Sequence, residues 1–336
     1  MSAPPTALPP HGGDLAAATA RWGRPAGDWL DLSTGINPTP YPLPSLPDWA
    51  WSHLPGRAAE AALDTAARQA LAVPDSAALI AASGGQALIQ QLPWLRSPGP
   101  VTILAPTYDE HRRAWTAAGH QVQGATDPAT ADPTGVLVLV NPNNPDGRTF
   151  DRASLVALTA RFAAQGGLVV IDEAFADPYP EQSLCPLAPR GGVILRSFGK
   201  FYGLAGLRLG LAVTAETALA EALRARLGPW GVSGPALVVG TAAYADSAWA
   251  EATRHALVAA SSRLDAVLTG AGFERIGGTV LFTLVRHPKA REWWERLGQH
   301  GILVRAFAEH PDWLRFGLPG STAAWNRLKQ ALTSAP

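Results

Sequence analysis

Cysteine and lysine are the scarce residues of this 336-residue chain. The single cysteine, Cys185, rules out an internal disulfide, and with no Cys or His cluster around it there is no structural zinc site to expect. It fits a reducing compartment. A surplus of one charge is missing as well: 27 basic residues balance 27 acidic ones, which argues against nucleic acid or an anionic membrane surface as a partner. No apolar run is long enough to cross a bilayer, and Met1-Ser2-Ala3-Pro4-Pro5 lacks the basic start and apolar stretch of an export signal. These absences predict a cytoplasmic protein that binds neither nucleic acid nor membrane. Apolar residues at 47% and charged residues at 16% predict a compact soluble chain, long enough for one large or two moderate domains.

Only three lysines occur, Lys200, Lys289 and Lys329; every other basic side chain is arginine. An amine condenses with a carbonyl to an imine and a guanidinium does not, so a lysine kept in an arginine-preferring chain points to chemistry. Lys200 is the candidate. It lies in Ser197-Phe198-Gly199-Lys200, among glycines and aromatics, with Arg208 eight positions on.

Proline and glycine cluster from Gly35 to Pro55 and mark an N-terminal arm with a connector. Helical spacing of apolar residues runs from Glu60 to Val73, and the Gly84-Gly85 turn opens a second such stretch, Ala87 to Leu95. Val101–Leu104, Val136–Val140, Leu168–Ile171 and Val193–Leu195 read as buried strands of a mostly parallel sheet. Ligands of such sheets collect at the carboxyl ends of strands, where Tyr108, Asn141 to Asn144, Asp172 and Ser197 to Lys200 fall together. A break at Gly228–Pro235 precedes an Ala-rich helical stretch and a smaller α+β segment. That segment has strands at Gly277–Arg286, Gly301–Arg305 and Leu314–Gly317 and a closing helix at Trp325–Leu332. The expected architecture is α/β: a central sheet flanked by helices in a large domain at 49–230, and a small domain built from an arm at 1–48 and the segment 231–336.

Asn141-Pro142-Asn143-Asn144-Pro145-Asp146-Gly147, Ile171-Asp172-Glu173-Ala174-Phe175 and Ser197-Phe198-Gly199-Lys200 with Arg208 together resemble the signatures of the fold-type I pyridoxal 5'-phosphate enzymes, the aspartate aminotransferase superfamily. Within it the chain is most similar to the threonine-phosphate decarboxylases of cobalamin biosynthesis, above all the aerobic-pathway form. The likeness runs nearly end to end, through His11-Gly12-Gly13, Leu30 to Pro38, Ser83 to Ala87, Leu195 to Gly210, Leu227 to Pro235 and Leu314 to Gly320. It implies roles residue by residue. Lys200 is the imine-forming amine, and Asp172 keeps the pyridine nitrogen protonated, braced by His111. Tyr108 stacks on the ring, Asn144 bonds its hydroxyl oxygen, and Gly84, Gly85, Gln86, Ser197 and Arg208 hold the 5'-phosphate. Arg315 takes the substrate carboxylate, while His11, Gly12, Asn37 and Arg305, with Asn144 close to the substrate, complete its binding. No metal is implied.

The resemblance also implies the reaction. The bond at Cα that stands perpendicular to the conjugated plane is the one that breaks, so a decarboxylase presents the carboxylate there and a transaminase the hydrogen. The expected conversion is L-threonine O-3-phosphate to (R)-1-amino-2-propanol O-2-phosphate; an aminotransferase acting on a phosphorylated amino acid such as histidinol phosphate is the alternative. A homodimer is implied, although Trp51 to Gly56, where relatives carry a tyrosine that reaches across, holds none. Two further departures stand out: Phe175 where many aminotransferases have tyrosine, and Gly199 where a hydroxyl residue is common.

Overall fold

The computed structural model describes residues 8, 11–23 and 29–333, and its contacts divide the chain into two compact units, 40–252 and 1–39 with 253–336. The strands, in chain order, are β1 Leu30–Leu32, β2 Ala78–Ala82, β3 Pro100–Leu104, β4 Gln121–Ala125, β5 Val136–Val140 and β6 Leu168–Asp172. After them come β7 Gly192–Ser197, β8 Gly210–Thr214, β9 Glu274–Thr279, β10 Phe282–Arg286, β11 Ile302–Ala306 and β12 Trp313–Gly317.

The larger unit carries a seven-stranded sheet in the order β2-β8-β7-β6-β5-β3-β4. Every pairing is parallel except those of β8, which runs antiparallel to both β2 and β7. Five consecutive buried residues in β5, and five again in β6, are what a strand covered on both faces requires; period-2 alternation would leave one face polar. Helices Gly85–Gln91 and Glu110–Ala117 contribute Leu88, Ile89 and Trp115 to the core beneath that sheet.

The smaller unit holds a five-stranded sheet, β1-β11-β12-β10-β9, in which only β1 and β11 pair in parallel. The single strand read from Gly277 to Arg286 is a hairpin. The chain turns at Val280-Leu281, and Gly278, at φ 137°, occupies a place where a Cβ would meet the Phe282 carbonyl oxygen at 2.4 Å. Helix Thr322–Leu332 closes the unit.

The units meet along the chain at 39/40 and 252/253, where composition had put the breaks at 48/49 and 230/231. Helix Gly234–Ala245, which follows the glycine-rich break, packs on helix Arg57–Leu71: a Cβ at Gly240 would lie 3.0 Å from Leu63 Cδ1. Burial of an apolar helix face outweighs the loop composition that precedes it. Among the described residues no helix is long and apolar enough to cross a membrane.

Candidate active site

Because β5, β6 and β7 run in parallel and in register, their carboxyl ends deliver side chains to one edge of the sheet. There a cavity of about 160 Å³ is lined by Asp172 from the end of β6, Ser197 from the end of β7, Lys200 one turn further on, and Gly85, Gln86, Tyr108, Asn144 and Arg208 from neighbouring segments. All of these belong to the larger unit.

Asp172 is 5% exposed, and its two oxygens have separate partners: Oδ2 lies 2.9 Å from His111 Nε2, and Oδ1 accepts from the Ala174 amide at 3.0 Å. A buried carboxylate held on both sides keeps one orientation, and His111, itself 1% exposed, has the ring nitrogen to hold it. Tyr108 donates from its hydroxyl to Gln86 Oε1 (3.3 Å), and Gln86 Nε2 donates to Glu110 (3.0 Å), which settles which way the Gln86 amide faces. Burial, then Glu110 and Asp172, push the Tyr108 phenol up to about 12, so it remains a proton donor throughout the neutral range.

The asparagine-proline segment is tied into place by Asn143. Its amide donates to the Pro106 carbonyl (2.8 Å) and to Asp146 (2.7 Å) and accepts from the Thr107 hydroxyl (2.6 Å), which leaves Asn144 to face the cavity. At the opposite end Gly84 (φ 87°) precedes helix Gly85–Gln91, and Arg208 (φ 55°) folds back so that a Cβ at Gly84 would sit 2.7 Å from its Nη2. A Cβ at Gly210 would meet the Gly85 nitrogen at 2.3 Å, so the two loops touch backbone to backbone. Lys200 stands between these ends with Nζ 5.7 Å from the Phe175 ring centroid.

This donor set matches the groups of a pyridoxal 5'-phosphate. It supplies a braced carboxylate at one end, an aromatic ring and an amine along the middle, and at the other a glycine turn with a hydroxyl and a guanidinium, where no larger residue fits at 84 or 210. The residues fit.

In the smaller unit β11 and β12 set Arg305 directly opposite Arg315. Like charges so placed repel. Burial first, and Arg305 next, push the Arg315 guanidinium down to about 9 against the pull of Asp31, and burial likewise lowers Arg305. Such a pair is relieved by an anion. One arm of Arg315 donates to the Ser33 carbonyl at 2.6 Å, and its guanidinium carbon lies 4.9 Å from the Phe282 ring centroid. His11 and Gly12 line a small cleft with Ser33 and Arg305; a Cβ at Gly12 would strike the Ser33 carbonyl oxygen at 2.4 Å. Asn37 is buried, its Oδ1 accepting from the Thr39 amide at 2.9 Å.

Three features escaped the sequence reading: the Gln86–Glu110 contact, the facing arginine pair, and a buried charge cluster of Glu173, Asp177 and Arg196 behind the site. A charged residue in the otherwise apolar stretch Gly192–Ser197 was the one signal for the last.

Residues 57–332 match the family described as aminotransferase class I and II. The chain is 44% identical to a threonine-phosphate decarboxylase of Pseudomonas aeruginosa, over 96% of each chain. It is 45% identical to one from Sinorhizobium sp, over 96% of this chain and 97% of that one. The crystal structure of L-threonine-O-3-phosphate decarboxylase from Porphyromonas gingivalis superposes with a TM-score of 0.74 at 21% identity, covering 90% of this chain and 97% of that one, a likeness of fold. With this fold, this cavity and a likeness that spans 96% of the chain, the protein belongs to the aminotransferase class I and II family and, within it, to the threonine-phosphate decarboxylases.

Proposed function

We propose that the chain decarboxylates L-threonine O-3-phosphate to (R)-1-amino-2-propanol O-2-phosphate, a step of cobalamin biosynthesis, with pyridoxal 5'-phosphate as cofactor. One observation carries this reading: 44% identity to a threonine-phosphate decarboxylase across 96% of both chains. When bound, the cofactor supplies an electron sink for the pair left at Cα as carbon dioxide departs.

The chain's own residues supply the rest. Lys200 would hold the cofactor through its amine, and the same amine would return a proton to Cα. Asp172, oriented by His111 and the Ala174 amide, keeps the ring nitrogen protonated, which deepens the sink. Tyr108 would cover one ring face, Asn144 would donate to the ring oxygen, and the Gly84-Gly85-Gln86 turn with Ser197 and Arg208 would neutralise the phosphate. Arg315 and Arg305, with His11, Gly12 and Asn37, take the two anionic groups of the substrate. Holding both anions fixes the rotation about the bond from nitrogen to Cα, and that rotation selects loss of the carboxylate over loss of the hydrogen.

The working unit is a homodimer in the cytoplasm. Trp51, Leu54 and Trp230 of the larger unit are 70%, 66% and 54% exposed, apolar side chains that a second copy would cover. The lone buried Cys185 suits a reducing compartment.

Incubation with threonine phosphate in the absence of any 2-oxo acid tests the reaction. Sustained release of carbon dioxide and aminopropanol phosphate is expected; a halt after one turnover would mean transamination instead. Borohydride reduction of the holoenzyme is expected to fix the cofactor on Lys200.

A further inference from the structure

Asp172 is followed at once by Glu173, and Ser197 is preceded by Arg196. Successive side chains of a strand point to opposite faces, and the β6–β7 register sets Asp172 against Leu195, so Glu173 and Arg196 are brought together on the other face. There Arg196 Nη1 bonds Glu173 at 2.8 Å and Arg196 Nη2 bonds Asp177. Glu173 is further held by the Ser183 hydroxyl at 2.5 Å and the Leu184 amide at 2.7 Å. Arg196 is 2% exposed, Glu173 0% and Asp177 7%.

Two carboxylates on one buried guanidinium are a poor way to gain stability. An apolar trio of similar volume usually serves as well or better, because the desolvation of three charges offsets their attraction. What the trio does here is local. Glu173 and Asp177 bracket Ala174-Phe175-Ala176, and of these Ala174 and Phe175 line the cavity. Ala174 gives Asp172 its amide bond, and the Phe175 ring lies 5.7 Å from Lys200 Nζ.

We propose that Arg196 is a positioning residue: by clamping Glu173 and Asp177 together it fixes the turn between them, and through that turn sets Phe175 against Lys200 and the Ala174 amide against Asp172. This rests on Lys200 and Asp172 serving the cofactor as described above; Arg196 borders the cavity while Glu173 and Asp177 do not line it, and the three align the site without entering its chemistry.

The test replaces all three charges at once, Glu173→Leu, Arg196→Met and Asp177→Leu, so that no carboxylate or guanidinium is stranded. The apo-protein is expected to keep its thermal midpoint while the amides of residues 174–176 exchange faster with solvent, a readout that needs no cofactor. In the holoenzyme the pH midpoint of the visible absorbance should move and kcat should fall about a hundredfold, the scale set by an ångström-sized misplacement. Adding Phe175→Leu to the triple variant should move that midpoint little further, since the turn is already loose. A folded triple variant with parental exchange, midpoint and kcat overturns the proposal, as does a Phe175→Leu effect that adds in full. Should the triple variant not fold, Arg196→Lys, which keeps the charge but loses the fork, replaces it in every measurement and is judged by the same outcomes. Borohydride labelling of the parental enzyme is run alongside. Loss of the label from Lys200 strikes the functional reading, whereas the exchange of residues 174–176 still decides the clamp.

Discussion

Placing a serine at position 199, where relatives often carry a hydroxyl residue, should damage this protein. An ideal Cβ on Gly199 would lie 2.6 Å from Ala205 Cα, 3.1 Å from its nitrogen and 3.2 Å from its Cβ. Ordinary contact begins at 3.4 Å, so the approach at Cα has to open by about 0.8 Å, and backbone is not a neighbour that can rotate away. Relief comes from one of two movements. Either the turn Phe198–Phe201 shifts and takes Lys200 with it, or the Ala205–Leu207 turn shifts and disturbs Arg208, whose Nη1 donates to the Ala205 carbonyl at 3.0 Å. Overpacking of this kind costs about 1–3 kcal/mol of stability, and a displacement near 1 Å costs roughly a hundredfold in rate, about 2.7 kcal/mol of barrier. The assay is carbon dioxide release from threonine phosphate by Gly199→Ser and Gly199→Ala, with thermal midpoints and cofactor affinity measured beside it. Both variants should lose about two orders of magnitude in kcat while remaining folded. A Gly199→Ser enzyme with parental kcat and parental midpoint would refute the steric argument, since the added Cβ cannot fit without the shift.

Phe175→Tyr should lower the pH midpoint of the visible absorbance in a spectroscopic titration, because a phenol donor steadies the anionic ring oxygen; an unmoved or raised midpoint contradicts this. Arg315→Lys should raise KM for threonine phosphate by roughly ten- to a hundredfold, as the lysine surrenders a charge-assisted fork, and steady-state kinetics will read it. At alkaline pH the chain should lose stability. Burial first, and Glu173 next, push the Cys185 thiol from 9.0 up to about 12, and the Tyr108 phenol rises from 10.0 to about 12. The unfolded chain gives up these protons first, so their contribution is complete below about pH 9 and is lost as pH rises through about 12. Thermal midpoints taken across that window should fall, and Cys185→Ala should flatten part of the slope.

Much of this was legible in the residues because buried parallel strands write themselves plainly. Val136–Val140 is β5 to the residue, and Leu168–Ile171 falls one short of β6, which ends on Asp172 itself. Of the residues named at the carboxyl ends of these strands, Tyr108, Asn144, Asp172, Ser197 and Lys200 line one cavity for the same reason: parallel strands in register must deliver their ends together. β4 was not seen, since Gln121–Ala125 is an edge strand with exposed and half-buried residues and no apolar run to announce it. Only the first residue of β8, Gly210, fell within a motif, and nothing local tells a strand that its neighbours run the other way. The Arg196 clamp stayed hidden because its partners depend on which faces Glu173 and Arg196 share, a matter of register between segments more than twenty residues apart. Gly199 stood out as a departure, but the reason for it lies in Ala205 and needed three dimensions.

The antiparallel course of β8 also bears on how the protein is made. Gly84 and Arg208 come together only when β8 lies between β2 and β7, so the phosphate cup has no existence while the ribosome is still adding the first two hundred residues. Asp172 and its histidine brace are synthesised well before that strand, and would wait as a ring-nitrogen site with no grip on the phosphate. The meeting of Gly84 with Arg208 is therefore tied to the insertion of one strand between two others of the same sheet.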